Sequence, residues 1–560
     1  MEGKISIYQV LPRLFDNPSG ANVPNGAFET NGSGKLNAFT PAVLKEIADL
    51  GCTHIWYTGV LDHATLTSFP GKPGDHPAIV KGQAGSPYAI RDYYDVAPEL
   101  AEDLEGRIRE YHELIERSHR AGLRVIQDFV PNHVSRAYRS EMKPGYVKDF
   151  GEEDEPKKSF AKNNNFYYLP NSTLVLRSPA AGMANKDYME FPARATGNDV
   201  FSASVTPNDW YETVKLNYGV DYYTGARHVD EPVPDTWQKM LDILLYWSAM
   251  GVDGFRCDMA EMVPVEFWRW CISRVRMSYP DVIFIAEIYR PDLYLDYVYA
   301  GFDYLYDKVG LYDTLIRVIK GEAPASDITR SWQQTQGVKG HLLHFMETHD
   351  EQRLASDFVV QDGHKAFPAM AVSTLIDSGP ILTYFGQELN ERGMDEEGYS
   401  GCDGRTTIFD YWQVPSIRQW IGDKRDFSGA ELPPEAKELR EKYRWLLNLA
   451  VKEKVFGRGQ FFDLMYANDD RLDPRRHYAF LRATDGEFAL VVANFSDQPS
   501  ELNIRIPGHA FGTLHIQSHG LFYVKDLSTD RLGVAEARPD DLYPIEVPAY
   551  GVAVRYFMLP

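Results

Sequence analysis

The stretch DTWQKMLDILLYWSAMGVDGFRCD, residues 235–258, holds a helical run, a glycine stop at Gly251 and the start of a strand. In the strand portion, GVDGFRCD (251–258), the run that follows Asp253 carries Arg256 and Asp258 two positions apart. Strand side chains alternate between faces with a period of two, so these two residues point the same way and share one cavity. Charged side chains are rarely buried unless paired. A positive neighbour lowers a carboxyl pKa, so Arg256 is expected to keep Asp258 ionised, the form a carboxylate nucleophile needs. A structural ion pair at a strand end accounts equally well for one such pair, and partners elsewhere in the chain must decide.

The same grammar recurs on both sides. In FTPAVLKEIADLGCTHIWYTGV (39–60), Thr40 is a candidate N-cap, Pro41 takes the first helical position, and Leu44, Ile47 and Ala48 follow at helical spacing before Gly51. EGRIREYHELIERSHRAGLRVIQDFV (105–130) repeats it with Ile108, Tyr111 and Ile115 and a stop at Gly122, and PVEFWRWCISRVRMSYPDVIFIAE (264–287) repeats it with a stop near Pro280. Adding KISIYQV (4–10), FDYLY (302–306), HLLHFME (341–347) and PILTYFG (380–386) brings the candidate strands to eight. Helices alternating with short apolar strands mean an α/β fold with a parallel sheet, and eight units predict a (β/α)8 TIM barrel. A doubly wound open sheet is the competing layout, but no glycine-rich nucleotide fingerprint follows an early strand.

In such a barrel the functional residues gather at the C-terminal strand ends. The third candidate strand ends in Asp128, followed by Asn132 and His133; the fourth in Arg256 and Asp258; the fifth in Glu287; the seventh in His349 and Asp350. Four carboxylates at one end of successive strands are costly to desolvate without a purpose.

Two interruptions divide the chain. Between His133 and Lys215 the rhythm stops, the chain is rich in Asn, Gly and Pro, and it carries the charge run DFGEEDEPKKSF (149–160). This is too long for a simple loop and predicts an irregular inserted domain B. From about residue 456, HYAFLRA, FALVVANF, ELNIRIP and GVAVRYF alternate with turns and predict a C-terminal antiparallel β-sandwich. The expected domains are a barrel in two parts, 1–133 and 218–455, domain B over 134–217, and the sandwich over 456–560.

Composition limits the partners. The 560 residues are 44% hydrophobic and 13% aromatic, with 34 tyrosines, whose flat body and polar tip suit the mixed faces of sugars. With 58 basic and 80 acidic residues the net charge is −22, so nucleic acid is not an expected partner. Cys52, Cys257, Cys271 and Cys402 show no metal-ligand spacing and read as free thiols. The N-terminus lacks a signal-peptide core and no run reaches membrane-spanning length, so the chain is expected to be cytoplasmic as given, or exported with its signal removed. His63 and His76 read as surface or loop residues, and Glu388 as a structural carboxylate.

Carboxylates around one pocket suit acid and base work on a bond that breaks through a cationic transition state. Retaining glycoside hydrolysis needs a carboxylate nucleophile and a carboxylic acid about 5–5.5 Å apart. Glu287, at the end of VIFIAE, has more apolar company than Asp258 and is the better candidate for a raised pKa. Metal-assisted hydrolysis stays open on residue type alone, with Asp128, His133, Asp258 and His349 as candidate ligands.

In motif order the chain resembles the α-amylase superfamily, glycoside hydrolase family 13. DFVPNH (128–133), GFRCDMAEM (254–262), IFIAEIY (283–289) and FMETHD (345–350) look like its first four motifs, with SPYAIRDYYDV near 86 and YFGQE near 384 as further matches. The resemblance implies that Asp258 is the nucleophile, Glu287 the general acid and base, and Asp350 the third carboxylate. It further implies that Arg256 orients Asp258, that Tyr88 is a stacking platform, that Asp128, His133 and His349 complete the pocket, and that Arg353 supports it.

The substrate so implied is an α-glucan or maltooligosaccharide, cleaved by a retaining hydrolase. A transglycosylase, or a catalytically silent carbohydrate-binding protein on the same fold, is the alternative. Glu261 and Met262 depart from the Lys-His often found after the nucleophile. TVKLN (213–217) looks like the fifth motif, closer to the neopullulanase and cyclomaltodextrinase type, but places Lys215 where calcium-binding relatives carry aspartate. A lysine there repels a cation, so no cofactor is required and the usual calcium site is not expected, although calcium elsewhere is compatible with the sequence.

Overall fold

The computed structural model describes residues 3–177 and 187–560. Residues 1–2, at the start of the first expected barrel segment, and 178–186, within the expected insertion, lie outside the described residues.

Eight parallel strands close a barrel: β1 (Ser6–Val10), β2 (His54–Tyr57), β3 (Arg124–Phe129), β4 (Gly254–Cys257), β5 (Ile283–Ala286), β6 (Tyr304–Tyr306), β7 (Leu342–Phe345) and β8 (Ile381–Tyr384). All eight are the segments expected from the apolar runs. β1 pairs with both β8 and β2, which closes the ring. Helices cover the outside, and their starts and stops follow local chemistry. Thr40 caps the helix Pro41–Asp49, its side chain accepting from the Val43 N–H. Gly51 and Gly251 adopt φ of 107° and 96° just after their helices, a conformation that costs glycine little. The buried face of the helix Asp235–Ala249 includes Trp237, Met240, Leu244 and Trp247. It packs against the helix Val265–Ser278.

Two excursions leave the C-terminal rim. After β2, Leu61–His63 pairs antiparallel with Ile90–Val96, and the loop between them brings Tyr88 over the barrel mouth. After β3, the chain runs through three small two-stranded pairings; His133–Ser135 lies against Thr213–Lys215 and closes their neck. His63, expected to be a surface or loop residue, instead ends the strand Leu61–His63 and is buried at 2% exposure against Glu99. Its excursion folds back onto the barrel, which periodicity does not reveal. Glu388 is buried and accepts from Tyr8 and Arg440, a structural role.

The C-terminal domain is antiparallel. Six strands form one sheet in the order 460–463, 477–484, 487–494, 551–558, 520–526 and 531–537, and 500–505 pairs with 542–547 in a second layer. Ile504, Ile545 and Val547 of the small layer share a core with Leu490, Val492 and Phe557 of the large one. The sandwich is lopsided because the second layer has only two strands. Cys52, Cys257 and Cys271 are buried free thiols, and Cys402 is an exposed one. Among the described residues no helix is long and apolar enough to cross a membrane.

Candidate active site

The ladder between neighbouring strands continues one residue past their ends. Arg256 lies beside Asp128 in register; the Asp258 N–H donates to Phe129 O at 2.9 Å and the Glu287 N–H to Cys257 O at 3.1 Å. Asp258 and Glu287 are thereby held at one level on adjacent strands. Met259 follows with φ 43°, a left-handed conformation that costs on the order of 1–3 kcal/mol in a non-glycine residue. That turn lets the Met259 N–H donate to Glu287 Oε2 at 2.7 Å.

Arg256 is fully buried beneath both carboxylates. Its Nη1 donates to Asp258 Oδ1 at 2.7 Å, and its Nη2 lies 2.8 Å from Glu287 Oε1. Asp128 Oδ1 is 3.7 Å from Nη1. The guanidinium centre is 5.4 Å from the ring centres of Trp56, Tyr88 and Tyr306, and Nε donates to the Tyr306 hydroxyl at 3.1 Å. Burying one cation costs several kcal/mol after relaxation. Three carboxylates and three aromatic faces, each face contributing about 0.5–2 kcal/mol, offset that cost. The arginine therefore joins both carboxylates, whereas the sequence pointed to Asp258 alone.

Burial pushes Glu287 up to about 7, the Arg256 charge opposing it and the Asp258 and Asp350 charges adding to it. Glu287 thus holds a proton near neutrality, as expected from its apolar strand. For Asp258 the expectation of a lowered pKa needs correction. Burial raises it, and Arg256 offsets only part of that rise. An arginine two positions away is visible in a sequence; the depth of the cavity is not.

Asp350 keeps 45% of its side chain exposed at the pocket floor. The surrounding walls raise its pKa, but His349, with Nε2 at 3.0 Å, and the Arg256 charge outweigh them and hold it at about 2. His349 is in turn pushed up: burial lowers it, and the Asp350 charge more than reverses that. The Tyr88 hydroxyl lies 2.6 Å from His349 Nε2 and donates to Asp128 Oδ1 at 3.3 Å, while its ring stacks on the imidazole at 5.2 Å. Asp128 also accepts from Trp56 Nε1 at 3.0 Å. Burial, helped by the Lys215 charge, lowers His133 to about 3, so a neutral imidazole faces the pocket beside Trp210.

Asp258, Glu287, Asp350, Tyr88 and His133 line one cavity of about 280 Å³. Arg256, Asp128 and His349 support it from below. Arg353 does not reach the cavity; it is buried behind it, donating to Glu347 at 2.9 Å, Phe385 O at 2.9 Å and Thr406 at 2.9 Å. Glu261 accepts from the Tyr289 N–H at 3.0 Å, and the Tyr289 hydroxyl donates to Glu287 Oε1 at 2.6 Å. Tyr289, Lys81, Trp210, Glu212 and Phe409 line the cavity without having been singled out in the sequence. Tyr289 had a readable signal, two positions beyond Glu287 within IFIAEIY.

Asp128 and Asp258 face the Arg256 guanidinium, and among the described residues no three of His, Cys, Asp and Glu converge as ligands. At the fifth-motif position, the Lys215 ammonium itself occupies the oxygen cradle. It bonds Asn132 Oδ1 at 2.5 Å, Asp199 Oδ1 at 2.7 Å and Met262 O at 3.3 Å. A divalent ion would have to displace it.

The family model for the α-amylase catalytic domain matches residues 9–291. The chain is 24% identical over 480 residues to "Alpha-amylase MalA" of Haloarcula japonica, covering 84% of this chain and 54% of that protein. It is 22% identical over 412 residues to "Neopullulanase 2" of Thermoactinomyces vulgaris, covering 70% and 57%. The chain thus spans little more than half the length of these curated relatives. Among solved structures, the α-amylase of Geobacillus thermoleovorans complexed with acarbose superposes with a TM-score of 0.64 at 18% identity, covering 99% of this chain and 98% of that one. AmyP in complex with maltose superposes with a TM-score of 0.65 at 16% identity, covering 99% and 97%. These likenesses show the fold.

Proposed function

The chain belongs to the α-amylase family, and from that premise we propose that it is a retaining α-glycoside hydrolase acting on α-glucans or maltooligosaccharides. One observation carries the reading: a single buried guanidinium grips Asp258 and Glu287 together, while burial keeps a proton on Glu287. In the first step Glu287 gives that proton to the glycosidic oxygen as Asp258 attacks the anomeric carbon from the opposite face. The C–O bond breaks, the leaving chain departs as an alcohol, and the sugar is held as an ester of Asp258. In the second step Glu287, now ionised, takes a proton from water, which attacks the same carbon and releases the sugar with its original configuration. Asp350, ionised at about 2 and upward, faces the positive charge that develops on the ring. No step requires a bound metal.

The test is sugar release from maltoheptaose by the wild type, Asp258→Asn and Glu287→Gln. Wild-type turnover lost in both variants supports the assignment, and a wild type inert on maltoheptaose and on pullulan alike would remove it.

A further inference from the structure

At the wall of the cavity, three segments distant in sequence are fastened together. Lys81 Nζ lies 2.8 Å from Glu212 Oε1, joining the loop that carries Tyr88 to the strand returning from the insertion. The Ala84 N–H donates to Phe409 O at 2.9 Å and the Gln83 N–H to Asp410 Oδ1 at 3.2 Å, joining the Tyr88 loop to the segment near 409. Buried Arg13 donates to Gly85 O at 3.4 Å and Ile408 O at 3.1 Å, tying the same two segments from behind. Lys81, Glu212, Ile408 and Phe409 all line the cavity.

The charged pair is not self-sufficient. Glu212 is buried, and its Oε2 has no hydrogen-bond partner among the described residues. A buried carboxylate oxygen left unpaired costs about 1–3 kcal/mol or more, a cost removed if the carboxylate turns toward a hydroxyl donor bound in the cavity. The Lys81 ammonium brings three N–H donors to the same wall. An acceptor and a donor side by side suit two neighbouring sugar hydroxyls. The cavity of about 280 Å³ is at the small end for ligand sites, roughly 300–1,000 Å³.

We propose that Lys81 and Glu212 are specificity-determining residues that close the cavity behind one bound sugar and hold its terminal hydroxyls, so that the enzyme works from the non-reducing ends of its chains. The inference rests on the roles proposed for Asp258 and Glu287. Because Asp258 attacks C1 of the pocket sugar, the departing chain leaves past Glu287, and the proposal sets the far side of that sugar against Lys81 and Glu212.

The experiment compares maltoheptaose with maltoheptaose blocked at its non-reducing end by a 4,6-ethylidene group, products being separated by chromatography. The wild type is expected to release glucose from the free chain and to act on the blocked one roughly 100-fold more slowly. Lys81→Met with Glu212→Gln, which keep side-chain size, are expected to raise KM for the free chain more than they lower kcat. Lys81→Ala with Glu212→Ala is expected to narrow the discrimination to about tenfold or less. Equal wild-type cleavage of both substrates would overturn the closed wall, and unchanged KM and discrimination in soluble, folded variants would reduce the pair to a structural contact. Cleavage of neither substrate by the wild type would instead refute the hydrolase reading and this inference with it.

Discussion

Arg256 Nη2 stands 2.8 Å from Glu287 Oε1, and its other terminal nitrogen holds Asp258. The guanidinium is therefore a shared counter-ion, and both carboxyl pKa values depend on it. Replacing it by an apolar side chain, Arg256→Met, leaves buried carboxylates unpaired and should cost about 3–5 kcal/mol of stability, read by denaturant unfolding. Arg256 lowers Glu287 and Asp258 against the effect of burial, so its loss should move both limbs of the pH–rate profile upward. A profile that keeps its position would separate Arg256 from the titration.

Glu287 must carry its proton for the first step. With burial placing it at about 7, kcat/KM should fall as pH rises through that value, and Glu287→Gln should lower kcat by roughly 10²–10⁴-fold on an unactivated substrate. The same shift has a stability counterpart. A carboxyl raised above its unfolded value favours the fold most below that unfolded value and loses the contribution as pH climbs through the folded one. Wild-type stability should therefore decline relative to Glu287→Gln between about pH 4.5 and 7.

Tyr289 offers a finer check on that proton. Burial is the main cause of the raised Glu287 value, and the hydrogen bond from the Tyr289 hydroxyl at 2.6 Å works against it. Tyr289→Phe should move the alkaline limb to higher pH with little change in the acid limb. A shift to lower pH would mean that the hydroxyl accepts the proton of Glu287 rather than donating to its charged form.

Lys215 should make a divalent ion unnecessary between insertion and barrel. Chelators are expected to leave wild-type activity and melting temperature unchanged, whereas Lys215→Met, which strands Asn132 and Asp199, should cost about 1–3 kcal/mol. Lys215→Asp returns an oxygen ligand to the cradle, and its melting temperature should rise with added calcium. Chelator-induced loss of wild-type stability would contradict the assignment.

The eight barrel strands were legible because each is a short apolar run, four of them ending in carboxylates, and Gly51 and Gly251 mark helix ends by their backbone conformation. The deep carboxylates were legible for the same reason, each falling at a strand terminus. Lys81 and Glu212 were not, since each lies in an aperiodic excursion and only the packed fold brings them within 2.8 Å. The direction of the Asp258 shift was hidden too, because it is a balance between a visible neighbour and an invisible depth of burial. His63 shows the converse error, a polar residue in a loop-like stretch that the fold buries against Glu99.

The central claim is that Asp258 and Glu287 cleave an α-glycosidic bond with retention. The most direct measurement is the first-formed anomer in an NMR time course of maltoheptaose, run with the wild type and with Asp258→Asn. The account predicts α-anomer ahead of mutarotation in the wild type and at least roughly 10⁴-fold less product in the variant. The β-anomer appearing first, or an Asp258→Asn variant that turns over at the wild-type rate, would contradict it.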